Sequence, residues 1–247
     1  MPVFFLPPDC IVPPIVTITG EPLTHIRDSL RMAAGEHLLV ADGQGRRYRT
    51  EITAVTKQAL VARILETVPA PNIATPSLVL APALLKGEKM DWVIQKGTEL
   101  GVAAFVPLQC RHSMVQPRPD RIESQTARWQ RIALEAAQQS EQWLAPTMRL
   151  PQSMERFAGT VPRTSLGLIL VERRETTTNL SNIALPASAH HSITLLVGPE
   201  GGWAKEETAE AEKCGLIPVT MGPAVLRAET AAIVAVGILQ HRLGRLG

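Results

Sequence analysis

The most informative segments for the fold of this chain are LLVGPEGGW (Leu195–Trp203) and VTMGPAVLRAETA (Val219–Ala231). In each of them an apolar strand pattern runs into a Gly-Pro turn, and a helical pattern follows. Such turns bring backbone N–H and C=O groups to the carboxyl edge of a sheet, where small ligands bind. Neither segment matches the nucleotide patterns G-x-G-x-x-G or G-x-x-x-x-G-K-[ST].

The composition is that of an ordinary globular protein with a sizeable core. Of the 247 residues, 45% are hydrophobic and 19% are charged, and the formal net charge is +2. So small a net charge gives no global field for nucleic acid, although a local basic face is compatible with it. The three cysteines, Cys10, Cys110 and Cys214, are far apart, which favours a reducing cytosol over a disulfide framework. No Cys/His spacing indicates a metal site.

The sequence offers no targeting or membrane-spanning segment. The start, MPVFFLPP (Met1–Pro8), lacks the cationic region and the long apolar core of a signal peptide. The longest apolar stretch, Ala231–Leu239, is too short to span a bilayer and predicts a buried helix. We therefore expect a soluble cytoplasmic protein without membrane contact.

Two regions differ in their secondary-structure pattern. Residues 1–70 have short apolar or alternating runs around the turn Asp42–Gly45, which predicts a small β-barrel. The strands expected there are Glu36–Ala41, Tyr48–Val55 and Ala59–Leu65, and His25–Met32 forms a short helix or extended turn. The proline-rich residues 71–76 are interpreted as a linker.

Residues 77–247 alternate between strand and helix patterns, which predicts an α/β domain with a mostly parallel sheet. The expected strands are Leu78–Ala83, Val102–Pro107, Leu166–Val171, Ile193–Val197 and Ile217–Met221. The expected helices are Lys89–Leu100, Asp120–Trp143, Lys205–Cys214 and Ala228–Leu243.

The two glycine turns carry the residue types of a ligand site. Glycines allow close backbone approach, and Glu200 places a carboxylate where it could accept hydrogen bonds from a ribose. Arg227 and Glu229 flank the start of an otherwise apolar helix. A plain strand-to-helix connection and a helix cap with a surface salt bridge are the alternatives for each turn alone. The second turn is expected to follow a strand that neighbours the first, and the presence of both turns favours a ligand site.

Further motifs accompany these turns in a fixed order. They are HIRDSLR (His25–Arg31), KGEKMDWVIQKGTELGV (Lys86–Val102), and Arg128-Trp129 followed by EAAQQS (Glu135–Ser140). Together with Gly198–Gly202 and Leu226–Ala231 they resemble the bacterial small-subunit rRNA uridine-N3 methyltransferases of the SPOUT superfamily. The resemblance covers nearly the whole chain.

The resemblance implies a PUA-like RNA-binding barrel at 1–70, the linker at 71–76, and a SPOUT domain at 77–247 with a parallel sheet and a trefoil knot. It further implies a homodimer that binds S-adenosylmethionine, needs no metal, and modifies 16S rRNA of the 30S subunit. The cofactor-binding residues carried over by position are Leu196, Gly198, Glu200, Gly201, Val219, Met221, Gly222 and Leu226.

The expected chemistry is an in-line methyl transfer, for which the protein mainly aligns donor and acceptor. Uridine N3 carries a proton at neutral pH, so the reaction needs a base or a cation that stabilises the developing negative charge. We assign the cation to Arg227, facing O2 or O4 of the base. Glu229 orients Arg227 or assists proton removal, and the orienting role is favoured.

Arginines are expected to supply the affinity for RNA through phosphate contacts. The candidates are Arg27, Arg31, Arg46, Arg47, Arg111 and Arg128, with Lys86, Lys89 and Lys96 as weaker ones. A solvated helix face is the alternative for Arg128. A base inside folded rRNA must also turn outward to reach the cofactor.

Three positions depart from the family pattern. The family commonly has an arginine where Ala224 stands, a small residue and an arginine where Glu141 and Gln142 stand, and an arginine near Pro2. These losses concern rRNA contacts. They leave two alternatives open: a SPOUT enzyme that acts on tRNA or a ribose 2′-OH, and an inactive rRNA-binding assembly factor.

Overall fold

The computed structural model describes residues 3–72, 75–116, 118–172, 177–188 and 190–247. Pro2, and residues 73 and 74 of the expected linker, lie outside these ranges. Backbone contacts divide the chain into two compact units, Met1–Asn72 with Ala137–Ala145 and Ile73–Ala136 with Pro146–Gly247. Each unit has its own sheet and its own apolar core.

The first unit contains a six-stranded mixed sheet. Its elements are β1 (Val3–Phe5), β2 (Ile11–Val12), β3 (Ile15–Ile18), α1 (Gly20–Thr24), β4 (His37–Ala41), β5 (Arg46–Val55) and β6 (Leu60–Pro69). The strand order is β1-β4-β5-β6-β3-β2, with β1 parallel to β4 and the other pairs antiparallel. The β4–β5 turn is fixed by Asp42, whose Oδ1 accepts the N–H groups of Gln44 at 2.7 Å and Arg46 at 3.0 Å.

The strands expected around this turn are confirmed, whereas β1, β2 and β3 were not predicted. Those three strands have two to four residues each. Runs so short between prolines show no period of two, so only pairing with β4 and β6 identifies them as strands. The helical turn expected at His25–Met32 is present as a π-helical turn at His25–Ser29, directly after α1.

The second unit is an α/β domain around a seven-stranded sheet. The strands of the whole unit are β7 (Ser77–Pro82), β8 (Ala104–Phe105), β9 (Leu108–Gln109), β10 (Thr147–Met148), β11 (Gln152–Ser153), β12 (Leu166–Leu170), β13 (Thr178–Asn179), β14 (Ser192–Val197) and β15 (Ile217–Thr220). Its helices are α2 (Lys89–Glu99), α3 (Ile122–Gln139), α4 (Met154–Ala158), α5 (Lys205–Lys213) and α6 (Ala228–Arg242).

The sheet order is β10-β8-β7-β14-β12-β15-β13, and the strand pairs are parallel, which confirms the expected parallel sheet. The strands β9 and β11 form a separate two-stranded sheet. Within the described ranges, no helix has the length and apolar character needed to cross a bilayer. The trefoil knot implied by the resemblance stays a prediction.

Both faces of this sheet are covered by apolar side chains. Leu195 and Val197 of β14 belong to a cluster that includes residues of α2 and α6. Leu196, between them, belongs to the opposite cluster with residues of α4 and α5. Successive side chains of a strand point to opposite faces, so a strand buried on both sides is apolar at every position. This explains the continuous apolar run before Gly198.

Two expectations for this unit need correction. The sequence suggested that the two glycine turns follow neighbouring strands, but β12 lies between β14 and β15. The helix expected to extend to Trp143 ends at Gln139. Glu141 has a left-handed backbone with φ of 52°, and the N–H of Gln142 donates to Ala137 O, which closes the last turn.

Candidate functional site

A cavity of about 680 Å³ opens at the carboxyl ends of β12, β14 and β15. Its walls are residues 170–172, 197–203 and 220–228, with Thr208 and Ala231. We call residues 198–203 the first loop and residues 221–227 the second loop. The volume is in the range of small-molecule and cofactor sites, and the location is the usual one for ligands of parallel sheets.

Close packing favours glycine at two positions of the first loop. A Cβ built on Gly198 would lie 3.0 Å from the indole of Trp203, whose Nε1 donates to Leu170 O at 2.8 Å. A Cβ on Gly201 would lie 3.0 Å from Cβ of His112. At both positions a Cβ would be in tighter contact than side chains normally make, so its neighbour would have to shift by a few tenths of an ångström. Both glycines line the cavity.

A buried carboxylate stabilises the junction between the first loop and α5. Glu207 of α5 is 1% exposed. Its Oε2 accepts the N–H of Ala204 at 2.8 Å, and its Oε1 accepts the N–H of Arg111 at 2.9 Å. The side chain therefore caps α5 and fixes the segment that carries His112 against the loop.

We expect Glu207→Ala to lower the free energy of unfolding by about 2–3 kcal/mol, since two buried N–H groups lose a charged acceptor. Equilibrium urea denaturation measures this change. Glu207→Gln keeps one acceptor oxygen and should lose less. An alanine variant as stable as the wild type would show that water or neighbouring groups replace the carboxylate.

The second loop ends at Arg227, which precedes the first residue of α6. Gly222 has φ of 118°, a backbone conformation that favours glycine. The Arg227 side chain is exposed and lines the cavity. Within the described ranges, its guanidinium makes no hydrogen bond or ion pair. It is a cation at the cavity wall that is available to a ligand.

Lys89, the first residue of α2, links the first loop to the start of α6. Its Nζ lies 2.9 Å from Glu200 Oε1 and 3.5 Å from Glu229 Oε2. Burial raises the pKa of the Glu200 carboxyl, but hydrogen bonds from Lys89 and from the backbone N–H groups of Glu200 and Lys86 bring that pKa below its usual value. The hydrogen bond to Glu200 raises the pKa of Lys89. The expected partner of Glu229 was Arg227, and the observed one is Lys89.

Most of the residues expected to bind the cofactor lie at the cavity. Those that line it are Gly198, Glu200, Gly201, Met221, Gly222 and Leu226. Leu196 and Val219 are buried in the strands β14 and β15, beneath the lining, and Glu229 lies in the first turn of α6. Residues 170–172 were not predicted, because nothing in the sequence shows that β12 lies between the two loop-bearing strands.

The arginines expected to bind RNA have different surroundings. In the second unit, Arg128 pairs with both carboxylate oxygens of Asp91 at 2.6 Å, and Arg111 pairs with Glu206 at 3.2 Å. In the first unit, Arg31 and Arg46 are exposed, and Arg27 pairs with Asp28 at 2.6 Å.

Arg47 of the first unit is buried. Its guanidinium lies 4.0 Å from the ring centre of Trp143 and donates to Glu141 O. This placement gives Arg47 a part in packing the first unit. RNA binding by these six arginines stays a prediction. In the described part of the chain, no group of three or more His, Cys, Asp or Glu side chains is placed to hold a metal ion.

Comparison with known proteins gives consistent matches. A family model for an RNA methyltransferase domain matches residues 73–240, and one for an RNA methyltransferase PUA domain matches residues 18–65. The chain is 37% identical over 235 residues to ribosomal RNA small subunit methyltransferase E of Synechocystis sp., covering 92% of this chain and 73% of that protein. It is 28% identical over 232 residues to the Bacillus subtilis protein of the same name, covering 93% and 91%.

A solved structure gives the same result. The structure of ribosomal RNA small subunit methyltransferase E from Neisseria gonorrhoeae bound to S-adenosyl methionine aligns with a TM-score of 0.87 and 29% identity, covering 98% of each chain.

Proposed function

Since this chain belongs to the RNA methyltransferase family that its residues 73–240 match, we propose that it methylates N3 of one uridine in the 16S rRNA of the small ribosomal subunit, with S-adenosylmethionine as the donor. The observation that carries the proposal is the glycine-walled cavity with Arg227 at its edge. A cavity of about 680 Å³ accommodates a nucleoside-sized cofactor.

The residues of the cavity suit this cofactor. Bound S-adenosylmethionine supplies the methyl group on a positively charged sulfonium. Gly198 and Gly201 offer backbone polar groups where a Cβ would be crowded, and Met221 and Leu226 add apolar lining. The Glu200 carboxylate, ionised beside Lys89, is an acceptor for ribose hydroxyl groups.

Arg227 is assigned to the substrate. Loss of the proton from uridine N3 places negative charge on O2 and O4, and a guanidinium stabilises that charge strongly in a site from which water is excluded. Arg227 has no other partner in the described part of the chain, so it is free to serve this role. Glu229 Oε2 is buried without a hydrogen bond from the described residues and lies 3.5 Å from Lys89 Nζ, an ion pair that favours a positioning role over proton transfer.

A methylation assay tests the proposed function. The protein is incubated with methyl-labelled S-adenosylmethionine and either undermethylated 30S subunits or tRNA, and nucleosides are identified by mass spectrometry. We expect label in 3-methyluridine from 16S rRNA alone. Label in tRNA or in a 2′-O-methyl nucleoside would show that the enzyme acts on a different substrate from the one proposed. An absence of label with intact cofactor binding would favour an inactive assembly factor.

Three further features belong to the same proposal. The domain limits are 1–70 for the RNA-binding barrel and 77–247 for the methyltransferase domain, with 71–76 as a linker. The active form is a homodimer, as the family resemblance implies. The enzyme works in the cytoplasm, where its ribosomal substrate is found.

A further inference from the structure

One ammonium group joins carboxylates that come from separate parts of the chain. Glu200 belongs to the first loop, and Glu229 lies in the first turn of α6, directly after the second loop. Lys89 Nζ lies 2.9 Å from the first carboxylate and 3.5 Å from the second. In the described residues, no other cation forms an ion pair with either carboxylate.

Lys89 lies on a helix that is packed firmly into the core. Its neighbours on α2, Met90, Val93 and Ile94, are buried in the core of the second unit, and α2 packs against α6. Lys89 is not among the residues that line the cavity. Its side chain therefore influences the cavity through Glu200, which lines it, and through Glu229, which lies in the first turn of α6.

The carboxylates depend on this cation because they are less exposed than it is. The side-chain exposure is 11% for Glu229 and 25% for Glu200, against 36% for Lys89. Removing one partner of a shielded ion pair leaves a charge that turns toward solvent or draws in water. Without Lys89, two negative side chains would repel each other across the start of α6, and the first loop would lose its link to that helix.

We propose that Lys89 is a positioning residue for the cofactor: by pairing with Glu200 and Glu229, it fixes the first loop against the start of α6 in the arrangement that binds S-adenosylmethionine. The inference rests on the proposed function and deepens it. It also reassigns Lys89 from a weak candidate for RNA contact to a part of the cofactor site.

The test compares Lys89→Met and Lys89→Arg with Lys96→Met as the matched control. Lys96 lies on the same helix and pairs with Glu99 at 2.8 Å, outside the cavity lining. For Lys89→Met we expect Kd and KM for S-adenosylmethionine to rise at least about tenfold, with kcat at saturating cofactor within about threefold of wild type. Lys89→Arg, which keeps the charge, should restore Kd to within about threefold, and Lys96→Met should have the wild-type Kd for S-adenosylmethionine, a readout that involves no RNA.

The outcomes separate this inference from the proposed function. Calorimetry of cofactor binding needs no RNA, so a wild-type protein that binds no S-adenosylmethionine would refute the proposed function. Wild-type binding with an unchanged Kd in Lys89→Met would overturn the role of Lys89 alone. A rise confined to KM for RNA would do the same.

A second variant keeps the test valid if Lys89→Met fails to fold. In Lys89→Met/Glu229→Gln the more buried carboxylate is neutral, and we expect weak cofactor binding in a folded protein. Wild-type affinity in that variant would overturn the proposal.

Discussion

Arg227→Ala is expected to lower kcat for methyl transfer at least about a hundredfold while Kd for S-adenosylmethionine stays within about threefold. The guanidinium is exposed at the cavity edge and has no partner in the part of the chain that the structure describes. Its loss therefore disturbs little in the resting protein, but it removes the charge that we propose meets the uridinate. Single-turnover methylation of 30S subunits measures the rate, and calorimetry measures cofactor affinity.

Arg163→Ala is the matched control for this variant. Arg163 is an exposed arginine of the same unit and does not line the cavity, so its variant should keep the wild-type rate. Arg227→Lys should recover part of the rate, since an ammonium keeps the charge but loses the planar pair of donors. Lost cofactor binding in Arg227→Ala would show that Arg227 binds the methyl donor and not the uridine. An unchanged rate of methyl transfer would show that Arg227 takes no part in the reaction.

Gly198→Val is expected to raise Kd for S-adenosylmethionine at least about tenfold. Even a single added Cβ would lie 3.0 Å from the indole of Trp203, and two more methyl groups increase the overlap. The indole cannot move freely because its Nε1 donates to Leu170 O at 2.8 Å. Relief of the overlap must therefore displace the first loop or the end of β12, both of which form cavity walls.

Gly159→Ala provides the steric control. Gly159 also has an ordinary backbone, with φ of −65°, but an added Cβ would meet its nearest neighbours at 3.7 Å, which is normal contact. Its variant should bind cofactor as the wild type does. Thermal unfolding separates local from global effects. If Gly198→Val folds and binds with wild-type affinity, the close approach at Gly198 is not needed for the cofactor site.

Much of the fold can be read from single segments. The apolar run Leu195–Val197 predicts a buried strand, because a strand covered on both faces has no polar position. The turn at Asp42–Gly45 predicts the β4–β5 connection, since Asp42 binds its own following backbone there. Strands β1 to β3 could not be found in this way, because their identity as strands comes from pairing with distant residues.

The residues of the candidate site also fall into two groups, those that the sequence makes apparent and those that only the structure shows. Its glycines and Arg227 are apparent because each is unusual for its local segment: bare backbone after a strand, or a charge at the start of an apolar helix. Lys89 looks like an ordinary charge at a helix start, and residues 170–172 look like an ordinary strand end. Their roles arise from neighbours that are far away in the chain.

The two loops, the parallel α/β pattern and the family are apparent from the amino-acid sequence, because short segments of characteristic composition encode them. The folded chain was needed to show that β12 lies between β14 and β15, that Lys89 pairs with Glu200 and Glu229, and that Arg47 is buried against Trp143. Strand order and ion pairing are set by which surfaces pack together in space, and a local pattern carries no record of its distant partner.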